Sequence, residues 1–144
     1  MESVATEKSV RGSCLCGGVR YEFDGKVFLF NHCHCVQCRK AHGAAFASNL
    51  HIRPDQFRWL AGESLVARFE SSPGVRRSFC SVCGGNVAIV LDDQVVIPAA
   101  ALDDPFDARP MLHLFAGEKV AWIDIDDGVP AFQTWPPGRG GEER

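Results

Sequence analysis

No stretch of this chain approaches the ~20 consecutive apolar residues of a bilayer-spanning helix. Its first nine residues, which set Glu2, Glu7 and Lys8 among small side chains, hold no apolar segment of the kind that directs secretion. Neither a membrane protein nor a secreted one is expected, and a reducing cytoplasm is the expected compartment. Basic tracts are missing too. Only Arg39-Lys40 and Arg76-Arg77 pair up, and the formal net charge is −3, which argues against nucleic acid as a partner. There is no internal repeat of solenoid length, little helical periodicity, and no cysteine outside three short clusters.

Those clusters are what the sequence does have. All seven cysteines fall in Cys14-Leu15-Cys16, Cys33-His34-Cys35-Val36-Gln37-Cys38 and Cys80-Ser81-Val82-Cys83. A tetrahedral zinc with Zn–S bonds of ~2.3 Å gathers sulfurs roughly 3.8 Å apart, and tight cysteine pairs meet that requirement. In a reducing compartment such thiols serve as metal ligands, and an odd count fits complete disulfide pairing poorly. Two closed four-cysteine sites would need eight thiols. Seven divide as four plus three, leaving one zinc an open position.

With 144 residues, 46% of them hydrophobic, the chain is long enough for a core of its own. The expected organisation is one zinc domain over 10–136, with disordered tails at 1–9 and 137–144. Residues 19–23 and 65–70 alternate apolar with polar side chains, the period of a half-buried strand. Runs at 86–91 and 95–101 flank Asp92-Asp93 as a hairpin, and 113–116 with 120–123 suggest another around Gly117-Glu118-Lys119. Helix is confined to about two turns at 36–42, stopped by Gly43, and a short turn at 53–57 with Pro54 at its start. The fold class is mainly β with one or two short helices.

Cys80-Ser81-Val82-Cys83-Gly84-Gly85 reads as a zinc knuckle, half of a site. Cys14 and Cys16 are the best match for the other half, provided Gly17-Gly18 lets the chain bend, since i and i+2 on an extended strand lie nearly 7 Å apart. A closed Cys14/Cys16/Cys80/Cys83 centre would be structural. Cys33, Cys35 and Cys38 then stand alone, two of them at the start of the short helix, where free N–H groups favour thiolate. Three thiolates bring zinc to net charge −1 and blunt its acidity toward water. Such a centre suits an incoming sulfur better than hydroxide. His34 and His42 are the histidines placed either to fill the vacancy or to move a proton. Arg39 and Lys40 follow the last thiol, as substrate anchors or as a solvated cationic face. Phe46, Trp59, Phe79, Trp122, Phe132 and Trp135 read as core, with Trp135 able instead to edge the site.

Taken together, Gly12-Ser13-Cys14-Leu15-Cys16-Gly17-Gly18-Val19-Arg20-Tyr21, His32-Cys33-His34-Cys35-Val36-Gln37-Cys38-Arg39-Lys40 and Arg77-Ser78-Phe79-Cys80-Ser81-Val82-Cys83-Gly84 resemble the glutathione-dependent formaldehyde-activating family, which also includes centromere protein V. The resemblance runs on through Leu102-Asp103-Asp104-Pro105, His113-Leu114-Phe115-Ala116-Gly117-Glu118-Lys119-Val120-Ala121-Trp122 and Gly128-Val129-Pro130-Ala131-Phe132. It implies a β-tent fold of small antiparallel sheets meeting at a zinc-stapled ridge. It also implies a structural zinc on Cys14, Cys16, Cys80 and Cys83, and an active zinc at Cys33, Cys35 and Cys38. The implied activity joins glutathione to formaldehyde as S-hydroxymethylglutathione, a carbon–sulfur lyase reaction run in reverse.

The expected function is therefore that of a zinc-dependent carbon–sulfur lyase-type enzyme taking a small thiol such as glutathione and a small carbonyl compound. His34, Arg39, Lys40 and His42 are its expected catalytic residues: Arg39 and Lys40 hold carboxylates, and His34 or His42 shuttles the proton. The alternative is a non-catalytic zinc module binding a thiol metabolite or a partner protein. A third reading is a redox switch in which the three-thiol cluster releases zinc on oxidation.

Overall fold

A computed structural model describes residues 4–138 of the chain. Among the described residues ten strands form three small sheets. In the first, β1 (Val4–Ser13), β2 (Arg20–Val27) and β5 (Phe57–Ala61) run antiparallel. The second has the order β10 (Leu112–Leu114), β3 (Leu29–Cys33), β4 (Ala47–Ile52), β9 (Val95–Pro98), β8 (Ile89–Val90). The third is the hairpin of β6 (Val66–Ser72) and β7 (Val75–Cys80). One helix, α1 (Val36–His42), and short 3-10 turns such as Pro54–Gln56 complete the described residues. The expectation of a mainly β fold of small sheets holds.

Alternation explains why the sheets pack as they do. In β2, Tyr21, Phe23 and Val27 are fully buried while Arg20 is exposed. They join Leu50, Ile52, Val95 and Ile97 of the five-stranded sheet in the main core. Burying side chains of this size contributes roughly 1.5–3 kcal/mol each. Close packing also fixes Gly12, opposite Tyr21 in the β1–β2 register: a Cβ there would lie 2.6 Å from the tyrosine ring.

The other face of the five-stranded sheet matters for function. Asn31 and Cys33 of β3, Asn49 and His51 of β4, Val96 of β9 and Ile89 of β8 occupy it, in the cross-strand register Asn31↔Asn49, His51↔Val96 and Ile89↔Val96. A sheet face carrying two asparagines and a histidine is not built to be core. It lines a recess instead.

Four expectations need correction. The parallel pair β3–β10 departs from an all-antiparallel arrangement, because β10 returns along the open edge of β3 after a long crossover. The tail at 1–9 is not wholly irregular: β1 begins at Val4 and pairs with β2 from Val4↔Val27. Residues 1–3 and 139–144 lie outside the described part. The hairpin around Gly117-Glu118-Lys119 is replaced by a 3-10 turn at Ala116–Glu118, with no strand following, since β10 spends its ladder bonds on β3 and its His113 on Ala131. Trp122 is exposed, not core. The 86–91/95–101 hairpin does form, as β8 and β9, and ends in a 3-10 turn at Ala99–Ala101.

Candidate metal centre

The seven sulfurs gather as four and three. Those of Cys14, Cys16, Cys80 and Cys83 lie within 4.8 Å of one another, as do those of Cys33, Cys35 and Cys38. In the quartet, Cys14 Sγ–Cys16 Sγ is 3.6 Å and Cys16 Sγ–Cys80 Sγ is 3.9 Å, on either side of the roughly 3.8 Å that a tetrahedral zinc–thiolate centre requires. The chain bends at Leu15–Cys16 to achieve this, with Gly17 at φ 79°. On the other side Cys80 ends β7, and Gly84 at φ 76° returns the knuckle so that Cys80 N–H donates to Gly85 O. Side chains cannot enter here: a Cβ on Gly85 would sit 2.9 Å from Leu15 N.

Backbone N–H groups point at the quartet sulfurs, as thiolates need. Val19 N donates to Cys14 Sγ (3.2 Å), Cys16 N to Cys83 Sγ (3.4 Å) and Val82 N to Cys80 Sγ (3.4 Å). The N–H groups of Gly85 and Cys16 hold the Cys83 thiol down to about 6. This donor set suits a closed zinc site.

The trio is built differently. Cys33 closes β3, and Cys35 is the N-cap of α1, its sulfur accepting from Cys38 N at 3.3 Å. Gly43, at φ 59°, ends the helix by returning its N–H to Arg39 O. All three thiols are buried. Cys35 is held down to about 2, first because its sulfur accepts hydrogen bonds from Cys33 and Cys38, then by the Cys38 N–H and the Arg77 guanidinium; the same sharing pushes Cys33 up.

All three trio cysteines line a recess of about 140 Å³, whereas of the quartet Cys14 borders an open depression of about 510 Å³ shared with Leu15, His42 and Asp103. The recess wall includes Asn31, Asn49, His51, Arg77, Gln94 and Trp135, with apolar Val96, Leu114 and Phe115 between them. Arg77 Nη1 donates toward Cys38 Sγ at 3.6 Å while its Nε donates to Ser71 Oγ at 3.2 Å. Arg77 also lines a shallower outer cleft of about 560 Å³ with Gln37, Lys40, Phe69 and Phe79. The two hollows therefore meet at this guanidinium.

Of the residues expected to do chemistry, the structure brings few to the trio. His34 is fully buried on the far side, packed on Phe46 and His113, its Nε2 2.8 Å from His113 Nδ1. Burial, then the neighbouring His113 and His32, lowers it to about 4. Among the described residues no histidine nitrogen joins the three sulfurs within 4.8 Å. His42 lies near Asn86 and Arg77 at the back of α1, its ring lowered by burial and then by Arg77. Lys40 is on the outer cleft, and Arg39 borders neither hollow. Trp135 does edge the recess, and Phe132 packs behind it. Sequence reasoning passed over Asn31, His51, Gln94 and Arg77. A signal existed for Arg77, the one basic pair beside a cysteine motif other than Arg39-Lys40. For Asn31, strand alternation puts it on the face of Cys33.

The family model described as glutathione-dependent formaldehyde-activating enzyme matches residues 9–118, a span holding both sulfur clusters and Arg77. Among solved structures, a Rhodobacter sphaeroides protein determined as a Northeast Structural Genomics target is similar with a TM-score of 0.54. It shares 21% sequence identity with this chain and the alignment covers 67% of this chain and 91% of that one, a likeness of fold. No curated protein matches the chain. No helix among the described residues is long and apolar enough to cross a membrane.

Proposed function

Because the chain belongs to the glutathione-dependent formaldehyde-activating enzyme family, we propose that it is a zinc-dependent carbon–sulfur lyase-type enzyme joining a small thiol, glutathione foremost, to formaldehyde. The observation carrying this reading is the contrast between the clusters: four sulfurs that make up a full tetrahedral donor set, and three that fall one short of it and line a recess beside a guanidinium. Zinc held by Cys33, Cys35 and Cys38 would supply a fourth position for the thiol sulfur and lower its pKa. A second zinc on Cys14, Cys16, Cys80 and Cys83 would be structural.

The protein's own residues then have separable tasks. With zinc bound the trio would carry charge −1, and an entering thiolate would add a further negative charge, which Arg77 is placed to offset at the Cys38 sulfur. Arg77 and Lys40 together front the outer cleft, where they receive the carboxylates of a tripeptide thiol. In the addition, the sulfur forms a bond to the carbonyl carbon and the carbonyl π pair moves to oxygen. That oxygen takes up a proton equivalent to the one the thiol gave up. The reverse breaks the same carbon–sulfur bond. Apart from the thiols, His51 and Arg77 are the titratable groups on the recess wall.

A second reading, thiol binding without turnover, draws on the histidines: His34 and His42 both lie outside the recess. One experiment separates the two. Zinc-loaded protein is added to glutathione and formaldehyde at equilibrium, and exchange with S-hydroxymethylglutathione is followed by NMR. Acceleration over the spontaneous exchange, lost in Cys35→Ser, is expected; binding with no acceleration would leave the module reading standing.

A further inference from the structure

Two residues that line the recess carry a polar atom with nothing to bond to. Asn31 is 1% exposed and its Oδ1 is buried without a partner; Trp135 has its Nε1 likewise buried and unpaired. One is an acceptor, the other a donor. Leaving a buried polar group unsatisfied costs about 1–3 kcal/mol, so each stands to gain from a ligand that supplies the missing partner.

The other end of the Asn31 carboxamide is engaged: its Nδ2 donates to His51 Nε2 at 3.0 Å, and His51 Nδ1 lies 2.7 Å from Gln94 Oε1. Gln94 Oε1 accepts, so in this arrangement His51 carries its proton on Nδ1 and leaves Nε2 as the acceptor for Asn31. Oδ1 is the end left over. Asn31 and Cys33 are alternate residues of β3, so the unpaired oxygen and a trio sulfur share one sheet face.

A group that both donates and accepts fits this pair, and a hydroxyl is the smallest such group. Free thiol has none. The addition product has one, on the carbon next to sulfur. We propose that Asn31 and Trp135 form a hydroxyl-reading pair. Asn31 Oδ1 accepts the O–H of the hemithioacetal, and Trp135 Nε1–H donates to its oxygen, the atom on which charge develops as the carbon–sulfur bond forms. This rests on the trio being the thiol-binding centre proposed above. His51, backed by Gln94, is a positioning residue that acts by holding the carboxamide. Both unpaired atoms are buried behind the recess surface, so engaging them requires the wall to yield, and Trp135 lies on a segment without regular structure. Its packing on Phe115, edge to face at 5.4 Å, changes with it.

The test compares two ligands on zinc-loaded protein by calorimetry: glutathione alone, and glutathione with formaldehyde in excess so that the adduct predominates. Wild type should bind the adduct about tenfold more tightly than the thiol, the equivalent of one well-made buried hydrogen bond. Asn31→Leu and Trp135→Phe, which lose the polar atom and keep most of the bulk, should each bring that ratio to near one; the ratio is the readout, since Asn31→Leu also removes the hydrogen bond to His51 Nε2 and so lowers the melting temperature. Trp135 fluorescence, isolated by difference against Trp135→Phe, should respond to the adduct and not to glutathione. His51→Leu should reduce the ratio less than Asn31→Leu. An unchanged ratio in both Asn31→Leu and Trp135→Phe overturns the pair while leaving the thiol site intact. Wild type that binds neither ligand overturns the site reading itself, and the pair with it.

Discussion

Arg77 Nη1 stands 3.6 Å from Cys38 Sγ, and Arg77 leaves the same strand that ends, three residues on, in Cys80 of the other cluster. Strand β7 thus ties the closed quartet to the wall of the open trio. A guanidinium beside a sulfur-rich anionic centre stabilises added negative charge, and the Nε bond to Ser71 keeps it oriented. Arg77→Met, which retains the stem, should weaken glutathione binding about tenfold, in keeping with ~1.5–3 kcal/mol for a charged hydrogen bond. Arg77→Lys should recover part of the loss. Titration calorimetry reads the effect, and an unaltered dissociation constant in Arg77→Met would remove Arg77 from the site.

His34 belongs to a different network. His113 Nε2 donates to Asp127 Oδ2 at 2.9 Å, so His113 Nδ1 accepts from His34 Nε2. The chain Asp127–His113–His34 ties the 113–131 region to the turn between β3 and α1. His34→Ala should therefore cost about 2–4 kcal/mol of stability, through an emptied volume and an unpaired His113. Thiol affinity should hold within about twofold. Chemical denaturation alongside calorimetry checks both, and the reverse pattern would return His34 to the chemistry.

Much of this was legible in the chain because ligand geometry is local. Cys-x-x-Cys beside Gly84-Gly85, and Cys-x-Cys beside Gly17-Gly18, dictate knuckle and bend whatever surrounds them. Helix α1 was equally legible, since its N-cap bond and its Gly43 stop lie within nine residues. Alternation in 19–23 revealed β2 for the same reason. What could not be read is what long-range pairing decides. That Asn31 lies beside His51 follows from the β3–β4 register, and that His51 meets Gln94 follows from β4 pairing β9. Similarly, β10 lies parallel to β3, which cancels the hairpin that 113–123 suggests locally. Proximity to cysteine in sequence pointed to Arg39, whereas the basic residue at the sulfurs is Arg77, 39 positions from Cys38.

Arg11 and Asp104 give a pH dependence independent of the thiols. The Arg11 guanidinium, through Nε (3.0 Å) and Nη2 (2.8 Å), and its backbone N–H hold the Asp104 carboxyl at about 2, below its usual range near 3.8. A carboxyl with a depressed folded-state pKa contributes stability that is complete above the unfolded value and is lost as pH falls through the folded one. Wild type should thus exceed Asp104→Asn in melting temperature at pH 5 to 7. The gap should narrow from about pH 4 downward and close near about pH 2. With the Arg11 side chain exposed and Asp104 half-buried, the gap should also shrink with salt. A gap independent of pH would mean that the pair adds shape and no charge.

The sharpest consequence concerns the unequal duties of two cysteines. Cys80→Ser opens the quartet that clamps the end of β1 to the end of β7. Structural zinc contributes ~10–16 kcal/mol in small peptides, which matches or exceeds the ~5–15 kcal/mol by which whole domains are stable. Cys80→Ser should be insoluble or unfolded, with near-zero zinc. Cys35→Ser removes a trio sulfur, yet serine is a preferred N-cap and its hydroxyl can take over the bond from Cys38 N. That variant should keep α1, melt within several degrees of wild type, retain one zinc equivalent and lose thiol binding. Zinc analysis with circular dichroism distinguishes the cases. Were Cys35→Ser to unfold as fully as Cys80→Ser, the trio would be architecture, and the recess beside Arg77 would have no metal chemistry to serve.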